Sequence, residues 1–138
     1  MLLALSAMFA AGQSFSCQVV AVHDGDTMRC ADGTRARLQG IDANELDGSC
    51  HTVCAALSAD LSRQSLESLA LNQVALCHST GRSYDRVTAW CDVTNAAGVN
   101  NDLSCEQVAR KAAIIWRKFD PDHRLDRCQR EPIPRGSR

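Results

Sequence analysis

Apolar residues along this chain recur mostly at every second position, the period of a half-buried strand, and switch twice to helical spacing. Ser16 to His23 alternates and leads into an acidic loop. Thr27 to Cys30 and Arg35 to Ile41 flank Asp32-Gly33, a dipeptide that tolerates the positive φ of a type I′ turn, so these runs are predicted to form a hairpin. In its second strand Arg35, Arg37 and Gln39 share one face, while Ala36 and Leu38 take the other. From Thr52 to Asn72 the period is helical: Cys54, Leu57, Leu61 and Leu69 form a broad face, and Asp60, Arg63 and Glu67 fall elsewhere. Gln73 to Cys77 and Val87 to Val93 read as the last two strands, with Gly81 and Arg82 in the loop between them and Arg86 at a strand start. Ser104-x-x-Gln107 fits a capping box, opening a helix whose Cys105, Val108, Ala112 and Ile115 share a face. Trp116 and Phe119 read as core or pocket-wall residues.

The ends of the chain differ from its middle. Residues 1–16 carry no charge, and LLALSAMFAA has the character of a secretory leader, too short to span a bilayer. Cleavage is expected after Ala10, Ala11 or Ser16; the alternative for this segment is a buried N-terminal helix. Beyond Pro121 the chain is polar and basic and ends in EPIPRGSR. The expected organisation is a leader over 1–16, one domain over 17–119 and a disordered basic tail over 120–138, with no internal repeat.

The hairpin has a chemical consequence. Chain reversal brings the loop holding Asp24 and Asp26 to the same end as the loop holding Asp42 and Glu45. Converging carboxylates repel unless a cation stands between them, and an oxygen-rich site suits a hard divalent ion. The spacing is not that of an EF-hand, because Met28 falls where the next ligand would be, so the site must be built from separate loops.

DGDT at 24–27, RLQGIDANE at 37–45 and YDRVTAW at 84–90, in that order, resemble the staphylococcal nuclease (thermonuclease) family over about residues 17–116. The resemblance implies a mainly β fold, a five-stranded OB-fold barrel packed with two to three α-helices. It also implies a calcium-dependent phosphodiesterase acting on DNA and/or RNA with one Ca²⁺ ion. Asp26, Asp42 and the backbone carbonyl of Ala43 match the calcium ligands, and Glu45 matches the glutamate that orients or deprotonates the attacking water. Arg37 and Arg86 match the phosphate-binding arginines, Asp24 an outer-shell acid beside the metal, and Tyr84 a tyrosine near a terminal phosphate. Asn44 replaces the family's usual proline, Asp85 its usual glycine before the second arginine, and Lys111 a common helix glycine. Asn44 is expected to loosen the loop presenting Glu45, and Asp85 to weaken the hold of Arg86 on phosphate.

The residue types allow this chemistry independently of the family. A carboxylate such as Glu45 can accept a proton from water, and guanidinium forks pair bidentately with phosphate oxygens and stay protonated. Losing one such contact in a desolvated site costs about 3 to 4 kcal/mol in the barrier. Two alternatives stand beside the enzyme: a binding module on the same scaffold, weakened by Asn44 and Asp85, and a disulfide-stapled extracellular interaction domain.

Eight cysteines in 138 residues favour an oxidising destination, so a secreted or periplasmic protein, a monomer without stable membrane association once the leader is removed, is expected. Cys77 and Cys91 would face each other across neighbouring strands, and Cys50 and Cys54 would bridge locally or staple the helix start; Cys17, Cys30, Cys105 and Cys128 are left unassigned. A zinc site from Cys50, His51, Cys54, Cys77 and His78 is the competing reading; otherwise His51 and His78 are surface residues. A net charge of −1 excludes a general nucleic-acid coat. The charge is uneven, with 6 basic and 11 acidic side chains in residues 17–104 against 9 basic and 5 acidic in 105–138. The acidic part suits a divalent cation and the basic part a polyanion.

Overall fold

The computed structural model describes residues 11–129. The alternating runs form β1 (Ser14–Asp24), β2 (Thr27–Cys30), β3 (Arg35–Leu38), β4 (Ile41–Asp42), β5 (Val74–Ser83), β6 (Arg86–Thr94), β7 (Asn100–Asp102) and β8 (Ile114–Ile115). Two helices, α1 (Ala59–Ala70) and α2 (Leu103–Ala109), accompany them, with single 3-10 turns at Arg117–Phe119 and Asp126–Cys128. The fold is thus mainly β with packed helices. A six-stranded sheet runs β3-β2-β1-β5-β6-β7 with antiparallel neighbours. A short parallel ladder, Ala36 to Val87 through Leu38 to Ala89, also joins β3 to β6, so the strand path returns to its start. β4 and β8 form a separate two-stranded ladder, Ile41 with Ile115 and Asp42 with Ile114.

Period-2 burial explains which residues fill the centre. Cys17 and Val19 of β1, Ala36 and Leu38 of β3, Ala75 and Cys77 of β5, and Ala89, Cys91 and Val93 of β6 are buried, and Leu66, Ala70, Leu103 and Leu125 pack against them. Alanine and cysteine supply more than half of this core, which dilutes the Val, Leu, Ile and Met side chains whose burial contributes about 1.5 to 3 kcal/mol each. Four disulfides make up the difference: Cys17–Cys30, Cys50–Cys54, Cys77–Cys91 and Cys105–Cys128. All eight cysteines are bridged, so no thiolate remains for the competing zinc reading. The four bridges accord with an oxidising compartment, and no helix among the described residues is long and apolar enough to cross a membrane.

Several elements depart from the sequence expectation. The hairpin turn spans Ala31-Asp32-Gly33, with only Gly33 at positive φ (+90°), the three-residue loop with a glycine bulge instead of type I′. Helix α1 starts at Ala59, because Ser58 caps it by accepting the Leu61 N–H, while the Cys50–Cys54 bridge holds the preceding residues in a loop. Its buried face is Ser62, Leu66 and Ala70, and Leu61 is 49% exposed. Asp60 and Glu67 do lie away from that face, both paired with Arg63 at 2.6 Å. β5 runs on to Ser83 across a bulge near Ser79 and Gly81, so Gly81 and Arg82 are strand residues and the turn is Tyr84-Asp85.

Asp102, not Ser104, caps α2 by accepting the Cys105 N–H. Ser104 donates its hydroxyl to the Gln39 carbonyl, and buried Gln107 donates to the carbonyls of Gly25 and Ser62. The helix stops before the predicted face is complete: Lys111 turns left-handed (φ +61°), and Ile114 and Ile115 enter β8. Residues 120–128, expected in the tail, are packed, with Asp120 and Leu125 buried and Cys128 bridged to Cys105. The tail residues 130–138 and the leader residues 1–10 lie outside the described residues; Ser14 to Ser16, also assigned to the leader, pair with β5.

Candidate functional site

Two glycines let the acidic loops meet. A Cβ on Gly25 would stand 2.6 Å from the Ser62 Cβ and 2.7 Å from the Ala43 Cβ, so the Asp24-Gly25-Asp26 turn can lie flush against α1. Gly40 (φ +81°) turns the chain from β3 into β4, where a Cβ would meet Trp90 at 2.9 Å and Leu125 at 3.0 Å. Asp26 and Asp42 consequently both approach Arg37.

Asp26 ties these loops together. One of its oxygens accepts the Thr27 hydroxyl (3.0 Å), and the other accepts the Ala43 N–H (3.0 Å) and stands 3.3 Å from Arg37 Nη2. The same Nη2 is 3.7 Å from Asp42, while Nη1 donates to the carbonyls of Leu38 and Ile41, both at 3.0 Å. Asp24 sits behind, accepting the Asp26 N–H at 3.0 Å. Burial first, and then the negative charge of Asp26, raise its pKa from 3.8 to about 7.

Glu45 reaches the group from the loop after β4. Its neighbour Asn44 is not a loose substitute for proline: its amide donates to the carbonyls of Ala55 (3.1 Å) and Leu57 (3.0 Å) and accepts the Ala55 N–H (2.7 Å). The loop is therefore pinned by side-chain bonds where rigidity was expected to be lost. Inside the Cys50–Cys54 bridge, His51 returns toward the carboxylates, its Nδ1 2.9 Å from Asp42 and 3.9 Å from Glu45. Asp42, Glu45 and His51 each offer a ligand atom within 4.8 Å of the others, a group able to hold a metal ion. The grouping differs from the expected Asp26, Asp42 and Ala43, since Asp26 is engaged with Thr27, Ala43 and Arg37, and His51, a surface residue as expected, turns its ring toward Asp42. The sequence offered His51 as a ligand only within the competing zinc reading, whose cysteines are all bridged.

A cleft of about 770 Å³ opens from this group. Arg37, Glu45 and His51 line it together with Arg82, Tyr84, Arg86, Trp116 and Phe119. Arg86 faces it from the start of β6, with Nη2 3.4 Å from the Ser83 hydroxyl. Asp85 turns to Arg35 (3.2 Å), so its charge is taken up there and not by Arg86. Tyr84, at the tip of the turn with φ +57°, is 93% exposed. Arg82 was not anticipated, because it was placed in a loop instead of at the end of a strand. On the opposite wall Trp116 stacks on His51 (4.9 Å between centroids, 24° between planes) and meets Phe119 edge-on.

The expected groups thus share one neighbourhood: Asp24, Asp26, Asp42 and Ala43 form its buried floor, and Arg37, Glu45, Tyr84 and Arg86 border the cleft. Compared with known proteins, the chain matches no protein-family model and no curated protein. Chemically, the arrangement offers a carboxylate base beside a potential cation site, guanidinium groups facing the same space, and aromatic walls.

Proposed function

We propose that this protein is an exported, metal-dependent phosphodiesterase of the staphylococcal nuclease type, hydrolysing DNA and/or RNA, on a strand ring that corresponds to an OB-type barrel. The observation that carries the reading is the single cleft shared by Glu45, Arg37 and Arg86 beside the Asp42, Glu45 and His51 group. A phosphodiester in that cleft would pair with the Arg86 guanidinium, while Arg37, bonded to Asp26, Asp42 and the carbonyls of Leu38 and Ile41, adds positive charge at the cleft wall. Glu45, 40% exposed at its side chain, is positioned to take a proton from an attacking water. Tyr84 and Arg82 border the place where the rest of the strand would lie, and Trp116 and Phe119 give apolar faces for a base.

The residues fit a divalent cation: the Asp42 carboxylate and the His51 imidazole converge, with Glu45 beside them and the Asp26 carboxylate close by on Arg37. Calcium is the ion the family resemblance implies; when bound, it would supply positive charge for the phosphoryl oxygens and lower the pKa of a nearby water. The departures behind the weakened binding-module alternative carry less weight here, since Asn44 pins the Glu45 loop and Asp85 pairs with Arg35. The test is cleavage of single-stranded DNA by pure, oxidised protein. Cutting that stops on chelation and returns with added cation is expected; no chelator-sensitive cutting would overturn the assignment.

A further inference from the structure

We propose that His51 is a metal ligand and makes this centre prefer nitrogen-binding divalent transition metals over calcium. The proposal rests on the metal-dependent reading above and narrows it. The imidazole is held in one orientation, stacked on Trp116 at 4.9 Å and 24°, while the His51 backbone N–H donates to Asp42 Oδ2 at 3.3 Å. The loop carrying His51 is therefore fastened to the carboxylate with which it would share the ion.

Donor type carries the preference. His51 Nδ1 stands 2.9 Å from Asp42 Oδ1, a hydrogen bond in the absence of an ion, and 3.9 Å from Glu45 Oε1. The three ligand atoms lie within 4.8 Å of one another, a spacing that admits a cation without selecting its bond length. Calcium draws on roughly six to eight oxygens. Oxygen donors are limited here, because the Asp26 oxygens accept hydrogen bonds from Thr27 and Ala43, one also facing Arg37, and the Asp42 oxygens already meet the His51 N–H and Nδ1. The His51 imidazole with the Asp42 carboxylate, and Glu45 beside them, is instead a donor set suited to zinc, cobalt or manganese. Two other histidines are engaged elsewhere: His78 Nδ1 lies 2.8 Å from the Ser14 hydroxyl, and His123 Nδ1 2.9 Å from Asp126.

The experiment titrates the oxidised, chelator-stripped full chain calorimetrically with Co²⁺ and with Ca²⁺, for wild type, His51→Ala, His51→Gln and Asp42→Asn. Wild type is expected to bind Co²⁺ at least about tenfold more tightly than Ca²⁺. Both His51 variants should weaken Co²⁺ by about tenfold or more and Ca²⁺ by less than about twofold. His51→Gln keeps a group that can hydrogen-bond Asp42, so it separates lost ligation from a disturbed loop. Pulsed EPR of Mn²⁺-loaded protein should show coupling to an imidazole nitrogen in wild type and not in His51→Ala. Equal affinities for the two ions, equal losses for both in the His51 variants, or nitrogen coupling that survives His51→Ala would overturn the proposal while leaving a calcium-dependent enzyme intact. Failure of wild type to bind either ion, or undiminished Ca²⁺ binding by Asp42→Asn, would overturn the metal-dependent reading itself.

Discussion

Asp24 carries a cost that depends on pH. Its carboxyl has a pKa near 7 in the folded chain against 3.8 ordinarily, so between those values the folded state holds the extra proton. Ionisation therefore destabilises the fold as pH rises from about 4 to about 7; the penalty is complete above that window and absent below it. In chelator, Asp24→Asn should raise the melting temperature at about pH 8, with the gain shrinking toward about pH 5, since the amide mimics the protonated acid and still accepts the Asp26 N–H. A gain that does not change with pH would remove ionisation as its cause. Arg86 offers a second case: with Asp85 turned to Arg35, Arg86→Lys should cost about tenfold or more in cleavage, by loss of the planar fork. An unchanged rate would show that this arm is idle. Arg37, Glu45, Arg86 and the aspartates were legible in the sequence because a hairpin and a strand start fix where such residues emerge. Arg82 was not, since it depends on a bulged strand that hydrophobic pattern does not disclose, and His51 entered only through a zinc reading that the disulfides remove.

At the level of elements, α2 ends in an arrangement that asks for glycine. Lys111 N–H donates to Val108 and Ala112 N–H to Gln107, the paired bonds of a Schellman ending, while Lys111 occupies φ +61°. A side chain there costs about 1 kcal/mol, so Lys111→Gly should raise stability by about that amount in urea unfolding. Destabilisation would mean that the lysine side chain does more than occupy the turn. The 44–57 loop is the converse case: Asn44→Ala removes three hydrogen bonds to Ala55 and Leu57 and should cost about 2 to 3 kcal/mol, with faster hydrogen exchange at the Ala55 amide. Unchanged exchange at Ala55 would show that the loop is held by its disulfide alone. The strands were readable from period-2 alternation, but α1 was extended too far because Cys54 and Leu57 happen to fit a helical spacing. α2 was misread because Ser104 and Gln107 serve long-range contacts with Gln39, Gly25 and Ser62 instead of capping.

For the molecule as a whole, charge counted by segment misleads about where a polyanion would lie. In the basic C-terminal part, Arg117 pairs with Asp126 (2.7 Å) and Arg124 with Asp102 (2.9 Å), so these two charges are spent internally. The cleft cations Arg37, Arg82 and Arg86 come instead from the part counted as acidic. Oligonucleotide affinity should accordingly fall with salt, and Arg82→Ala should flatten the logarithmic slope by about 0.7, as one lost phosphate contact to a single strand requires. The most direct measurement of the central claim, that these converged groups hydrolyse phosphodiesters, is single-turnover cleavage of a single-stranded oligonucleotide by wild type and Glu45→Gln, with affinity measured in parallel. The account predicts that Glu45→Gln binds the oligonucleotide as wild type does and cuts it slower by a factor on the order of 10² to 10⁴. Equal cutting by the two proteins, or none by wild type with cation present, would contradict it.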